Sequence, residues 1–253
     1  MQGAFEPSSF GCMTLRAAYQ FVDCRWELMD PEAGRRAYLA GHVPGASYLD
    51  VDADLSDLSV PDAGRHPLPS AEKFAAAAGR AGIGDGVFVV AYGSGGGPER
   101  LWWLLRHFGH DNCAVMLGDV EAWGGELRAG EEDIEPLEFV PRERVGDTIQ
   151  AEEITRRLAD PSLALVDARA ASRWRGEPNP IDDPPGRIPG AANAPWMEPF
   201  PGELPPGELV AYCGSGVSSC ITLHRAWLAG REGRLYPGSW SEWSKRGLPS
   251  ERG

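Results

Sequence analysis

Long apolar runs are missing from this chain: none approaches the roughly 20 residues needed to cross a bilayer, so no membrane-spanning helix is expected. The first residues, Met1-Gln2-Gly3-Ala4-Phe5, lack a basic segment followed by a long apolar one. No secretion signal is read there, and the cytoplasm is the expected compartment. Cysteines are few and odd in number: Cys12, Cys24, Cys113, Cys213 and Cys220. Their scattered positions give no disulfide framework. Neither C-x-x-C nor matching histidine spacing occurs, so no zinc site is expected, and no cofactor either. Positive charge is also scarce, with 24 Lys and Arg against 37 Asp and Glu, a net charge of −13. That argues against non-specific nucleic-acid binding and gives no attraction to an anionic membrane.

What is present is a chain of 253 residues, long enough for two domains of ordinary size. Hydrophobic content of 42% and nine tryptophans fit packed cores, while 22 prolines and 32 glycines indicate many loops between short elements. The chain also repeats itself. Phe21-Val22-Asp23-Cys24-Arg25 returns 144 residues later as Leu165-Val166-Asp167-Ala168-Arg169. Gly41-His42-Val43-Pro44-Gly45-Ala46 returns 145 residues later as Gly186-Arg187-Ile188-Pro189-Gly190-Ala191. Val89-Val90-Ala91-Tyr92 matches Leu209-Val210-Ala211-Tyr212, and Gly118 to Trp123 matches Gly238 to Trp243, both 120 residues on. Four landmarks in one order mean a duplicated domain. The falling offset places about 25 extra residues in the first copy, between Tyr48 and Gly84. The expected domains are 1–130 and 148–253, joined by a charged, aperiodic linker over 131–147.

Within each copy, short β-branched runs alternate with helical patterns, as in α/β units built on a mostly parallel sheet flanked by helices. Gly86 to Ala91 reads as a strand and Glu99 to Phe108 as a helix, with Leu101, Leu104, Leu105 and Phe108 at helical spacing. Trp102 and Trp103 in that helix are read as core or domain-interface residues.

Cys213 is the residue that carries chemistry. It stands between an apolar run, Glu208 to Tyr212, and a helical run, Ser219 to Ala229, in the turn Cys213-Gly214-Ser215-Gly216-Val217-Ser218. A Gly-rich turn lets several backbone N–H groups point at one spot, and the helix adds its positive end. Both favour a thiolate over a thiol. The matching position in the first copy is Gly93, so only the second copy carries a nucleophile. The alternative, a small buried core residue, is the reading for Cys220 inside the helix; Cys12, Cys24 and Cys113 carry no functional expectation. Three chemistries use a cysteine at such a turn. A phosphatase needs an arginine closing the loop on phosphate, and no arginine lies between Cys213 and His224. A cysteine hydrolase needs a histidine base, and His224 lies on the following helix. Sulfur transfer, in which loop amides hold a persulfide anion, needs no loop arginine.

These residues resemble the tandem-domain rhodanese family of sulfurtransferases over nearly the whole chain. The resemblance rests on Asp23-Cys24-Arg25, Gly41 to Ala46, the helix with Trp102-Trp103 and Phe108-Gly109-His110, and Gly238-Ser239-Trp240-Ser241-Glu242-Trp243. It implies two α/β domains, an inactive first one and a second bearing the cysteine, with the active site in the cleft between them. Cys213-Gly214-Ser215-Gly216-Val217 is similar to the mercaptopyruvate sulfurtransferase branch, whereas the thiosulfate branch usually has Arg-Lys after its cysteine. The implied reaction moves a sulfane sulfur from 3-mercaptopyruvate to cyanide, a small thiol or a thioredoxin-like protein through a Cys213 persulfide.

The resemblance also implies roles. Ser215 matches the loop serine that relays a proton, Asp52 its acidic partner from the first domain, and His66 the accompanying histidine. Asp52 and His66 both fall in the extra segment, which would reach across to the second domain. The amides of Gly214, Gly216, Val217 and Ser218 would hold the anionic sulfur. Arg173 matches the arginine that grips the donor carboxylate, and Arg169 orders nearby loops. The branch usually has a second arginine soon after Glu-Pro-x-Pro, but Glu177-Pro178-Asn179-Pro180 is followed here by Ile181-Asp182-Asp183. Arg187 is the expected substitute. The alternatives are thiosulfate as donor, a non-catalytic module that binds or senses oxidants, and a weak phosphatase.

Overall fold

The computed structural model describes residues 4–5, 19–201 and 203–253, so Cys12 lies outside the described residues. The chain forms two compact units. The first takes the chain up to Asp57 together with Pro69–Arg144, and the second takes Leu58–Leu68 and Val145–Gly253.

In the first unit the elements are β1 (Ala4–Phe5), β2 (Tyr19–Asp23), α1 (Ala33–Ala40), β3 (Ser47–Tyr48), α2 (Ala71–Arg80), β4 (Phe88–Tyr92), α3 (Gly97–His107) and β5 (Cys113–Met116). The strands lie in the order β1-β5-β4-β2-β3, and every pair is parallel. Parallel neighbours cannot be joined by tight turns, which is why helices separate them in sequence. Trp102 and Trp103 are buried in α3. Residues 131–144 contain no helix or strand, yet they belong to this unit. The amide of Leu137 donates to Gly79 O at 3.0 Å, that of Arg142 to Phe108 O at 2.9 Å, and the Phe139 ring packs edge-on against Phe74. The charged stretch read as a linker is therefore strapped along the first unit as far as Arg144.

In the second unit the elements are α4 (Ala151–Arg156), β6 (Leu163–Asp167), α5 (Ala171–Trp174), β7 (Ala192–Asn193), β8 (Glu208–Tyr212), α6 (Ser219–Leu228), β9 (Gly233–Leu235) and α7 (Ser239–Lys245). The order is β7-β6-β8-β9, again all parallel. Val210 and Tyr212 from β8 pack with Leu165, Ile188, Trp240 and Trp243 in one core. Among the described residues no helix is long and apolar enough to cross a membrane.

The duplication is as clear in space as in sequence. Asp23 of β2 pairs in register with Tyr92 of β4, and Asp167 of β6 with Tyr212 of β8. Each aspartate is fully buried and is gripped by the arginine two residues on, Arg25 or Arg169. Each arginine continues to a glycine carbonyl, Gly41 O or Gly186 O, at 2.7 Å. Each tyrosine hydroxyl accepts an amide proton, from Val43 or Ile188, at 3.1 Å. A buried charge is tolerated when it is paired and hydrogen-bonded, and this latch satisfies that condition twice.

Candidate active site

Cys213 is the first residue after β8, and six residues separate that strand from α6. The path of this turn is set by where its carbonyls go. The amides of Trp240 and Ser241, at the start of α7, donate to Cys213 O and Gly214 O, both at 3.0 Å. The amides of Cys220 and Ile221 take Val217 O and Ser218 O, and the Cys220 thiol donates to Gly216 O at 3.4 Å. With the carbonyls turned outward, the N–H groups face the sulfur. The Gly216 amide donates to Cys213 Sγ at 3.1 Å. Gly216 adopts φ +86°, and a Cβ there would lie 2.6 Å from Pro237 O, so only glycine fits. The Cys213 amide donates to Ser239 Oγ at 3.1 Å, and Ser239 is buried with φ +51°. A non-glycine residue in that region costs about 1–3 kcal/mol, which the surrounding hydrogen bonds must offset.

Electrostatics separates this cysteine from Cys24 and Cys113. Cys213 is 1% exposed, and such burial pushes a thiol up. The Ser218 hydroxyl, the Ser215 amide and Ser219, beside the sulfur, outweigh burial and hold this thiol below its ordinary value. Cys24 and Cys113 are equally buried without such donors. Burial, followed by the charge of Asp23, drives the Cys24 thiol far upward, and burial pushes the Cys113 thiol up to about 12. Donors aimed at a sulfur favour the thiolate, the reactive form of a cysteine.

Two guanidinium groups lie beside the turn. A Cβ built on Gly214 would come within 2.7 Å of both Arg173 Nη2 and Arg65 Nη2. Arg173 is held at its fork by Asp182, its Nε and Nη2 each donating at 2.6 Å. Asp182 is buried and also accepts from Arg169 Nη1 at 3.1 Å. Arg65 arrives on the 58–68 loop, where its amide donates to Ser241 Oγ at 2.9 Å and its Nη1 to Ile181 O at 3.1 Å. The site thus combines a cradled sulfur with a guanidinium-lined wall, which suits a small anionic substrate.

Comparison with known proteins places this arrangement. Residues 13–126 and 150–246 each match the Rhodanese-like domain. The chain belongs to the rhodanese-like family. A protein of Pseudomonas aeruginosa named "Probable 3-mercaptopyruvate sulfurtransferase" is 39% identical over 249 residues, 88% of each chain. A Mycobacterium tuberculosis protein, provisionally named as a thiosulfate sulfurtransferase, is 34% identical over 88% of this chain and 87% of its own. The solved 3-mercaptopyruvate sulfurtransferase of Leishmania major superposes with a TM-score of 0.81 at 30% identity, covering 96% of this chain and 74% of that one.

Within this rhodanese-like frame the second unit brings together Cys213, Gly214, Ser215, Gly216, Ser218 and Arg173. Val217 is buried in the turn with them. His66 is buried in the 58–68 loop, next to Arg65. Asp52 lies in the first unit, in a turn where its amide donates to Asp50 Oδ1 at 2.8 Å. Arg187 is engaged elsewhere. Its guanidinium stacks on the Trp174 ring, pairs with Glu251 and donates to Gly253 O, so it is not the second guanidinium beside Gly214. That place is taken by Arg65, which touches the backbone of Ile181, the residue standing where a second arginine was sought. Sequence reasoning missed Arg65, Asp182 and Ser239. The signal for Arg65 was its position directly before His66; for Ser239 it was the shared Gly238-Ser239-Trp240 landmark.

Proposed function

We propose that the chain is a sulfurtransferase that takes sulfur from 3-mercaptopyruvate and passes it on through a Cys213 persulfide. The observation that carries this reading is the Cys213 thiol, held low by amides and hydroxyls although fully buried, with Arg173 beside it. In the first step the Cys213 thiolate attacks the donor sulfur and forms the S–S bond. The C–S bond breaks and its electron pair leaves with carbon as the pyruvate enolate, which takes up one proton. In the second step cyanide, a small thiol or a reduced thioredoxin-like protein attacks the outer sulfur, and the Cys213 thiolate departs as leaving group. The reading assigns the anionic outer sulfur to the turn amides, the donor carboxylate to Arg173, and the enolate proton to Ser215 and His66 with Asp52 as acidic partner. A reducing compartment, the cytoplasm, suits a cysteine that must return to the thiolate after each cycle.

The test is mass spectrometry after addition of donor without acceptor. A gain of one sulfur atom on Cys213, removed by cyanide, is the expected result; an unmodified Cys213 overturns the reading. Loss of turnover in Asp52→Asn and His66→Gln, with persulfide still forming slowly, is the expected sign of impaired proton supply. The second reading keeps the enzyme and changes the donor to thiosulfate. The name of the M. tuberculosis relative favours it, and kcat/KM on both donors decides between them.

A further inference from the structure

The arginines and carboxylates beside Cys213 do not balance, and the imbalance has an identifiable source. Arg169 is gripped by Asp167, with its Nη2 donating to Oδ2 at 2.6 Å, and its Nη1 also reaches Asp182. Arg173 is gripped by Asp182 through both arms of its fork. Asp167 and Asp182 have no exposed side-chain surface, and Arg169 has 1%. Arg65 is different. Among the described residues no carboxylate forms an ion pair with it, and its Nε is buried without a hydrogen-bond partner. Leaving aside the Cys213 thiolate, which is common to every variant, three guanidinium groups face two carboxylates, and the one without an ion-paired carboxylate of its own is Arg65, next to Gly214. Buried charges are screened weakly by salt, so such an excess acts on whatever binds there.

We propose, building on the sulfurtransferase reading, that Asp182 sets donor preference by limiting this wall to a single excess positive charge. Three arginines beside one aspartate would present two. Coulomb energy is linear in the charge of the ligand, so each added positive charge strengthens binding of a dianion about twice as much as that of a monoanion. The acid at position 182 thus steers the site toward a monoanionic carboxylate donor such as 3-mercaptopyruvate and away from the thiosulfate dianion. The same carboxylate holds the Arg173 fork in place, so charge and orientation must be separated by experiment.

The experiment measures kcat/KM for thiosulfate and for 3-mercaptopyruvate in the native protein, Asp182→Asn, Arg65→Met and the double variant, with circular dichroism as the check on folding. Asp182→Asn adds one positive charge and is expected to raise the thiosulfate-to-mercaptopyruvate ratio roughly tenfold or more, in line with an added charge in a poorly screened site. Arg65→Met removes one and is expected to lower the ratio by roughly tenfold on the same ground. The double variant restores the native excess and should return the ratio to within about threefold of the native value, the usual scatter of such comparisons. Product inhibition should follow the same order, sulfite tightening and loosening more than pyruvate. His66 is present in every variant and cancels from the ratios. If Asp182 only orients Arg173, the double variant keeps the defect of Asp182→Asn, and that result overturns the proposal. If Arg65 only grips a carboxylate, Arg65→Met raises the ratio instead, which also overturns it. Should Asp182→Asn fail to fold, the direction of change in Arg65→Met decides alone. A native protein that turns over neither donor refutes the sulfurtransferase reading itself; a native protein that works with an unmoved ratio in Arg65→Met refutes only the assignment of charge.

Discussion

The first copy has the same paired strands, the same buried Asp–Arg latch and the same tyrosine hydroxyl contact as the second, yet its turn is built differently. Four residues connect β4 to α3, against six between β8 and α6. Gly93, where the second copy has Cys213, adopts φ +127°, and a Cβ there would lie 2.7 Å from Arg25 N. The shorter turn has no room for a side chain at its first position. In the second copy the two extra residues let the chain arch around a sulfur, with the Gly216 amide donating to it and the Ser218 hydroxyl beside it. Duplicated scaffolds diverge where a loop changes length, because the latch residues hold the strands and leave the connection free to vary.

The largest expected effect that tests this contrast is Cys213→Ser. It should abolish persulfide formation and reduce turnover by roughly a thousandfold or more, as expected for removal of a covalent nucleophile, while both units stay folded. Next come the latch variants Asp23→Asn and Asp167→Asn. Each leaves an arginine, half-buried Arg25 or fully buried Arg169, without its charge partner and should destabilise its own unit by about 3–5 kcal/mol, read from denaturant unfolding. Only Asp167→Asn should also slow alkylation of Cys213, because Arg169 then loses the anchor that positions Asp182; equal slowing in both would break the contrast.

Gly216→Ala is next in size. The left-handed φ and the close Pro237 carbonyl should make it about 1–3 kcal/mol less stable and misdirect the amide that reaches Sγ. A crystal structure with that hydrogen bond intact would contradict the account. Ser218→Ala is subtler. The thiol lies below its ordinary value because donors outweigh burial, so in the native protein the iodoacetamide rate should rise with pH and level off below the ~8.5 of an unperturbed thiol. Loss of the Ser218 hydroxyl raises the thiol, shifts that profile to higher pH, and should cut the neutral-pH rate by about tenfold. An unmoved profile would assign the stabilisation to the amides alone. Smallest of all is Cys24→Ala. With its thiol driven upward by burial it is inert, so turnover should be unchanged and stability reduced by no more than about 1 kcal/mol.

Much of this was legible before any coordinates. The Asp-x-Arg and Gly-x-x-Pro-Gly-Ala landmarks marked two copies of one α/β unit, because residues that satisfy a buried latch must recur at fixed spacing. The apolar run Glu208–Tyr212 before a glycine-rich turn marked strand, loop and helix start, and β8 and α6 lie there. Other features were hidden for a physical reason. Arg65 is distant in sequence from Cys213, and nothing local shows that the 58–68 loop packs onto the start of α7. Arg187 was a reasonable substitute by position, but position along the chain does not say which way a side chain turns, and the Trp174 ring and Glu251 hold it elsewhere.

Local chemistry along the chain was enough to single out Cys213, count the domains and disfavour phosphate chemistry, since propensity, periodicity and the missing loop arginine are properties of neighbouring residues. Which guanidinium groups face the sulfur, which carboxylate restrains them and how many charges are left over could be read only from the folded chain. Electrostatic balance depends on distances between residues far apart in sequence, and folding alone sets those distances.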